Sequence, residues 1–203
     1  MEKISKVGKN FEDTLAQILE ENNLTQDEVI YKTGETKKGL FKSSTTEVIV
    51  YKKSDIYDFV KEFLKEIINN LGLEVSFETK QVHDRTVIKM YSNNNNILIG
   101  HNGNTIKALE NLVKQKIQLE TGMFFVISLD VENYKDKKAS RLERLAKQTA
   151  REVQKSHIDV HLENMNSYER RIVHNAISNF KGISSKSTGE EPNRHVVISY
   201  VGE

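Results

Sequence analysis

Apolar residues recur at spacings of three and four along five stretches of this chain, and each such stretch predicts an amphipathic helix. Phe11, Leu15, Ile18 and Leu19 mark the first, followed by Thr25 to Glu28 in the form of a capping box. Ile56, Val60, Phe63, Leu64, Ile67 and Leu71 mark the second, with Ser54 placed to cap its start and Gly72 to stop it. Ile106, Leu109, Leu112, Val113 and Ile117 predict a helix over 104–121, and Leu142, Leu145, Ala146, Thr149 and Val153 one over about 134–155. In the last, Asn166 and Glu169 have capping-box spacing ahead of Ile172, Val173, Ala176, Ile177 and Phe180. Between the helices, β-rich runs predict strands at Val48–Tyr51, Leu73–Val82, Thr86–Ser92, Phe124–Val131 and Val196–Val201. His83 and Asp84 join the second and third of these. Thr36 to Phe41 and Gly182 to Pro192 read as turns.

This order of elements predicts three small α+β domains in tandem, residues 1–53, 54–131 and 132–203. One Pro and the absence of a long Gly/Ser run leave no obvious flexible linker, so the domains are expected to be closely joined. The longest apolar run, Met123 to Ile127, is far short of the roughly 20 residues of a membrane helix. The mixed-charge start, without an apolar stretch behind it, is not that of a secretory signal, and a cytoplasmic protein is expected. The absence of Cys removes disulfides, thiol nucleophiles and Cys-ligated zinc. The formal net charge of +1 argues against binding nucleic acid by bulk charge. Charge is nevertheless uneven: the three segments carry net 0, −2 and +3.

Two places have the chemistry to hold a polynucleotide. At Gly100-His101-Asn102-Gly103, two glycines let backbone approach a phosphodiester, and the helix that follows offers unpaired N–H groups and the positive end of its dipole. Ile97 to Ile99, Ile99 above all, together with Ile106, are expected to wall an apolar groove for bases, with Lys107 one turn into the helix. In the last segment, Lys137, Arg141, Arg144, Arg151 and Lys155 form a stripe along one side of the 134–155 helix. Its bland reading is a solvated face. Arg170 and His174, four apart, are expected to point the same way, off the buried face, as a phosphate-binding fork and a hydrogen-bonding or stacking ring. Two solvated neighbours, or a His174 that orients Arg170 or ties down the following loop, are the structural alternatives.

Helix, two strands, short apolar segment, G-x-x-G, helix and strand over 54–131 resemble a type II KH domain, which implies a three-stranded sheet packed on helices. Arg170 and His174 within Tyr168-Glu-Arg-Arg-Ile-Val-His174, with Ser187 to Arg194 before the last strand, resemble an R-three-H domain. Lys37-Lys-Gly-Leu-Phe41 resembles the Jag N-terminal domain. That order over essentially the whole chain is similar to the bacterial Jag family, also called KhpB or EloR. The resemblance implies a non-catalytic, cytoplasmic regulator connected to cell elongation, division or sporulation. Single-stranded RNA, or single-stranded DNA, would be bound by Ile99, Gly100, His101, Asn102, Gly103, Ile106, Lys107, Lys137, Arg141, Arg144, Arg170, His174 and Arg194. It further implies a second small KH protein as partner, and leaves open a protein partner at the N-terminal segment and a homodimer. KH loops usually carry Lys or Arg at one middle position, where this chain has His101 and Asn102. Either the loop binds weakly or affinity rests on the basic third domain.

No Walker A, G-x-G-x-x-G or G-x-S-x-G sequence occurs, and nothing positive supports catalysis. His157 and His161 have the spacing of a helical metal pair, with Glu163 close, but Ile158 to Val160 between them reads as a turn or short strand. Neither metal nor cofactor is expected. The rival function is a protein-interaction adaptor with little RNA affinity, which the non-basic loop and the net −2 of 54–131 favour.

Overall fold

The computed structural model describes residues 1–37, 45–82 and 85–202, in two compact units, Met1–Glu132 and Asn133–Glu203. The first runs β1 (Ile4–Gly8), α1 (Phe11–Glu21), a 3-10 turn (Gln26–Glu28), β2 (Val29–Lys37), β3 (Thr45–Lys52) and α2 (Lys53–Asn70). It continues with β4 (Val75–Val82), β5 (Arg85–Ser92), α3 (Asn95–Ile99), a second 3-10 turn (His101–Gly103), α4 (Asn104–Thr121) and β6 (Ile127–Val131). Two three-stranded sheets result, ordered β1-β3-β2 and β4-β5-β6. The first is antiparallel throughout, and in the second only β5 and β6 run parallel.

β3 is buried on both faces because apolar side chains occupy four successive positions at the centre of its sheet. Val48 and Val50 pack with Leu15 and Ile18 of α1. Ile49 and Tyr51, on the opposite face, join the larger core of Ile56, Val60, Leu64 and Ile68 from α2, Ile88 and Met90 from β5, Leu109, Val113 and Ile117 from α4 and Leu129 from β6. The sequence pattern predicts neither β1 nor β2. Both are edge strands of their sheet, and their mixed polar sequences give only a weak alternation. Thr36 and Lys37, expected in a turn, continue β2, while Lys38 to Phe41 and the 83–84 join lie outside the described residues.

The α2 stop is as expected, with Gly72 at φ +75° after Leu71. Its start is not, for Lys52 occupies the N-cap without a side-chain bond and Ser54 lies inside the helix. Ile68, absent from the predicted face, is fully buried, and Leu71 is exposed. The strand expected from Phe124 begins only at Ile127, leaving Phe124 exposed.

The second unit comprises α5 (Tyr134–Ser156), β7 (Val160–His161), α6 (Ser167–Ile177), β8 (Ile183–Thr188) and β9 (His195–Tyr200), with an antiparallel sheet ordered β7-β9-β8. Ala146, Ala150 and Val153 of α5 and Val173 and Ile177 of α6 pack with Val196 and Ile198 of β9. Small side chains at 146 and 150 carry this contact, and Leu145, expected inside, is exposed. β8 replaces the turn expected after Gly182. Its inward positions are Ile183, Ser185 and Ser187, so hydroxyls hide the apolar alternation that marks a strand. Mixed helices and small sheets give the expected α+β class, and no helix among the described residues is long and apolar enough to cross a membrane.

Because Ile49 and Tyr51 belong to the core shared by α2 and α4, deletion of residues 1–52 is expected to expose the rest of that core. Chemical denaturation followed by circular dichroism should show a lower, broadened transition for the shortened chain. An unchanged midpoint for the first unit would show that the second sheet is self-sufficient.

Candidate nucleic-acid interface

The loop at 100–103 is held by its flanks. Leu98 at the end of α3 and Ile106 in the first turn of α4 are both buried in the main core. Between them the backbone must reverse within a few residues, and it does so with positive φ at Gly100 (72°), Asn102 (53°) and Gly103 (84°). Glycine relieves that cost at the two outer positions, and Asn is among the residues that tolerate it best at the third. At Gly100 sterics decide as well, since a Cβ there would lie 2.1 Å from Thr105 Oγ1 and 2.9 Å from the Thr105 backbone nitrogen. The Gly100 N–H donates to the Asn96 carbonyl at 2.8 Å, and the Gly103 N–H to the Gly100 carbonyl at 3.2 Å.

No side chain caps α4, whose N-cap is Gly103. The Asn104 N–H donates to the His101 carbonyl, and the first-turn N–H groups that follow in this 18-residue helix point along its axis without an intrahelical acceptor. His101 and Asn102 are exposed at the tip, with Asn102 Nδ2 donating to His101 Nε2 at 3.2 Å, and Lys107 is exposed one turn further on. The expected apolar wall is altered. Ile106 is only 3% exposed and belongs to the core, because the helix turns it inward with Leu109 and Val113. The accessible apolar surface beside the loop comes from Ile97, 45% exposed, and from part of Ile99.

In the second unit Lys137, Arg141, Arg144, Arg151 and Lys155 are all exposed along α5, as their spacing predicts. Arg141, Arg144 and Arg151 make no ion pair among the described residues. Arg170 and His174 require a correction: neither points into solvent. Arg170 is 7% exposed, and its Nη1 donates to the Met165 carbonyl at 2.9 Å and to Glu191 Oε1 at 3.0 Å. His174 is partly buried against β8, with Nδ1 2.7 Å from Ser185 Oγ and Nε2 3.0 Å from Ser187 Oγ. The buried arc of α6 is wider than its apolar stripe. Val173 and Ile177 pack into the core, while the adjacent polar positions close on β8 and on the loop that carries Glu191.

Met165 brings Arg170 and Arg194 together, since its carbonyl accepts from Arg170 and its N–H donates to the Arg194 carbonyl at 3.0 Å. The Arg194 side chain has no such tie among the described residues: its Nε is buried without a hydrogen-bond partner there. Sequence reasoning misses Glu191 as the partner of Arg170. It also misses Ser185, and names Ser187 only as the start of the 187–194 stretch and not as a partner of His174; their period-two spacing after Ile183 is the available signal.

Comparison with known proteins fits this layout. A KH domain model matches residues 59–136 and an R-three-H domain model residues 140–200. The RNA-binding protein KhpB of Clostridium symbiosum is 31% identical over 204 residues, covering 98% of this chain and 92% of its own. The chain belongs to the KhpB family. KhpB of Bacillus subtilis is 28% identical over 206 residues, covering 98% of this chain and 99% of its own length, whereas that of Streptococcus pneumoniae strain D39 aligns at 27% over 139 residues, 42% of its length. KhpB proteins pair KH and R-three-H modules and are binding proteins, not enzymes.

Two outcomes follow from the second-unit geometry. Arg170→Ala removes a charged donor from a buried carbonyl and should cost about 2 kcal/mol in denaturant unfolding, whereas exposed Arg171→Ala should cost almost nothing. The His174 imidazole is held below its ordinary pKa by burial first and by the Arg170 charge second. The unfolded chain therefore takes up this proton before the folded one, and stability falls as pH drops below about 6.5. Thermal melts between pH 7 and 5 should show a shallower decline for His174→Gln than for the parent.

Proposed function

We propose that this KhpB-family chain is a non-catalytic regulator that binds single-stranded RNA through two surfaces. The observation that carries the reading is the 100–103 loop. Its positive-φ backbone leads into an α4 start that no side chain caps, and the loop's own glycines leave its tip, His101 and Asn102, exposed beside that helix end. A phosphodiester can approach closely there, with bases set beside Ile97 and Ile99. The loop supplies hydrogen bonds and little charge, since its middle positions are His101 and Asn102, already bonded to each other. Lys107 adds a cation in α4, one turn beyond the loop.

The second surface is the basic side of α5, with Lys137, Arg141 and Arg144 following phosphates. Arg194, whose guanidinium is tied to no carboxylate among the described residues, takes the role that the sequence spacing assigns to Arg170. His174 and Arg170 then act by holding α6 against β8 and the 191–194 loop. KH and R-three-H modules bounded at 54–131 and 132–203 are part of the proposal, with residues 1–53 as the N-terminal module. Family membership extends it to work in the cytoplasm beside a second small KH protein, in control of cell elongation, division or sporulation. A protein-docking role is the second reading, favoured by exposed Leu112, Leu119 and Phe124 in the first unit.

Fluorescence anisotropy with a labelled single-stranded RNA tests the proposal. Replacing Lys137, Arg141 and Arg144 by Gln should weaken binding at least tenfold at low salt and lower the slope of log K against log salt by about 2. Replacing both His101 and Asn102 by Asp should weaken binding with no change in thermal stability of the first unit. Unchanged affinity in both variants would leave the docking role as the function.

A further inference from the structure

The outer face of the β7-β9-β8 sheet carries two imidazoles that the RNA-binding reading does not use. His161 pairs with Val197 across β7 and β9, and His195 lies two residues before Val197, so both rings stand on the side away from Val196 and Ile198. His161 Nδ1 lies 3.0 Å from His195 Nε2, with ring centroids 5.2 Å apart and planes at 40°. His195 Nδ1 is 3.0 Å from the Asn193 carbonyl, which can only accept. That bond places the His195 proton on Nδ1 and leaves Nε2 as a lone pair.

We propose that His161 Nδ1 and His195 Nε2 form a two-nitrogen site for a tetragonal divalent cation, copper(II) or nickel(II). With metal–nitrogen bonds of about 2.05 Å, nitrogens 3.0 Å apart subtend about 95° at the ion. That matches adjacent ligands in a square-planar or tetragonal shell and is tight for tetrahedral zinc, which needs a separation of about 3.3 Å. The backbone carbonyl behind His195 Nδ1 is the outer-shell partner that metal-bound imidazoles ordinarily have. Binding requires His161 to carry its proton on Nε2 and to turn slightly toward the ion. No third His, Asp or Glu completes the set among the described residues, so water fills the other positions. The pair suggested by sequence spacing, His157 and His161, is not this site. α5 ends at Ser156, and His157 stacks on Tyr200 with centroids 3.9 Å apart.

The site bridges β7 and β9, so the cation should also tie the short β7 strand to its sheet. Copper(II) chloride titrated into the metal-stripped full chain, followed by electron paramagnetic resonance, should fill one site whose spectrum shows nitrogen ligation. His161→Ala and His195→Ala should each weaken it at least tenfold, while His157→Ala leaves it unchanged. Nickel(II) should raise the melting temperature of the parent and not of the His195→Ala variant. A copper signal without nitrogen ligands, or binding lost with His157 and kept without His195, would overturn the assignment, even if a variant proved unstable, because the parent spectrum alone reads the donor set.

Discussion

Burial of Leu98 and Ile106 in one apolar core is the constraint on which the shape of the 100–103 loop depends. The two side chains anchor the ends of a loop whose backbone is in the left-handed region at three of four positions, a conformation that costs free energy and persists only when its surroundings fix it. Each buried Leu or Ile contributes about 1.5–3 kcal/mol, enough to offset a strained turn of this length. The same burial explains why Ile106 is unavailable as a base-contacting wall. A residue that holds the loop in place has its surface already committed inside the protein.

The second unit rests on a polar counterpart of that arrangement. Its sheet has three strands, and on β8 two of the three inward positions are serine, which cannot anchor a helix by apolar contact. His174 bonds both hydroxyls, and Arg170 ties the 191–194 loop to the start of α6 through Glu191 and the Met165 carbonyl. A buried guanidinium with two acceptors and a neutral imidazole between two hydroxyls are satisfied groups. They give the unit a defined geometry where hydrophobic packing is thin. Lys137, Arg141, Arg144, Arg151 and Lys155 of α5 are left facing solvent, and the buried Arg194 Nε has no hydrogen-bond partner among the described residues. Arg170 is thus held inside by internal acceptors, whereas the α5 arginines are exposed and unpaired among the described residues.

The helices and the 100–103 loop were largely legible in the chain, because helical spacing of apolar residues is a local signal and a pair of glycines before an amphipathic helix is another. α4 has the bounds its pattern predicts, and α1, α2, α5 and α6 fall close to theirs. β1, β2 and β8 were not legible. Each is an edge strand, and an edge strand draws its hydrogen bonds from a distant partner, β3 for the first two and β9 for the third. The split of α5 into Ala146 and Ala150 inside and Leu145 outside was hidden for a related reason: close approach of α6 favours small side chains, and that approach is not encoded in α5 itself.

By itself, then, the chain determined which segments coil into helices, that the 100–103 turn needs glycine at both ends, and that positive charge gathers on one side of α5. These follow from backbone sterics and from spacing within a few residues. Only the tertiary structure decided that Ile49 and Tyr51 join the first sheet to the larger core, that Arg170 is buried and Arg194 is not tied down, and that His161 meets His195 and not His157. Each of those facts turns on groups far apart in the chain competing for the same neighbour, and that competition is settled only when strands pair and helices close over them.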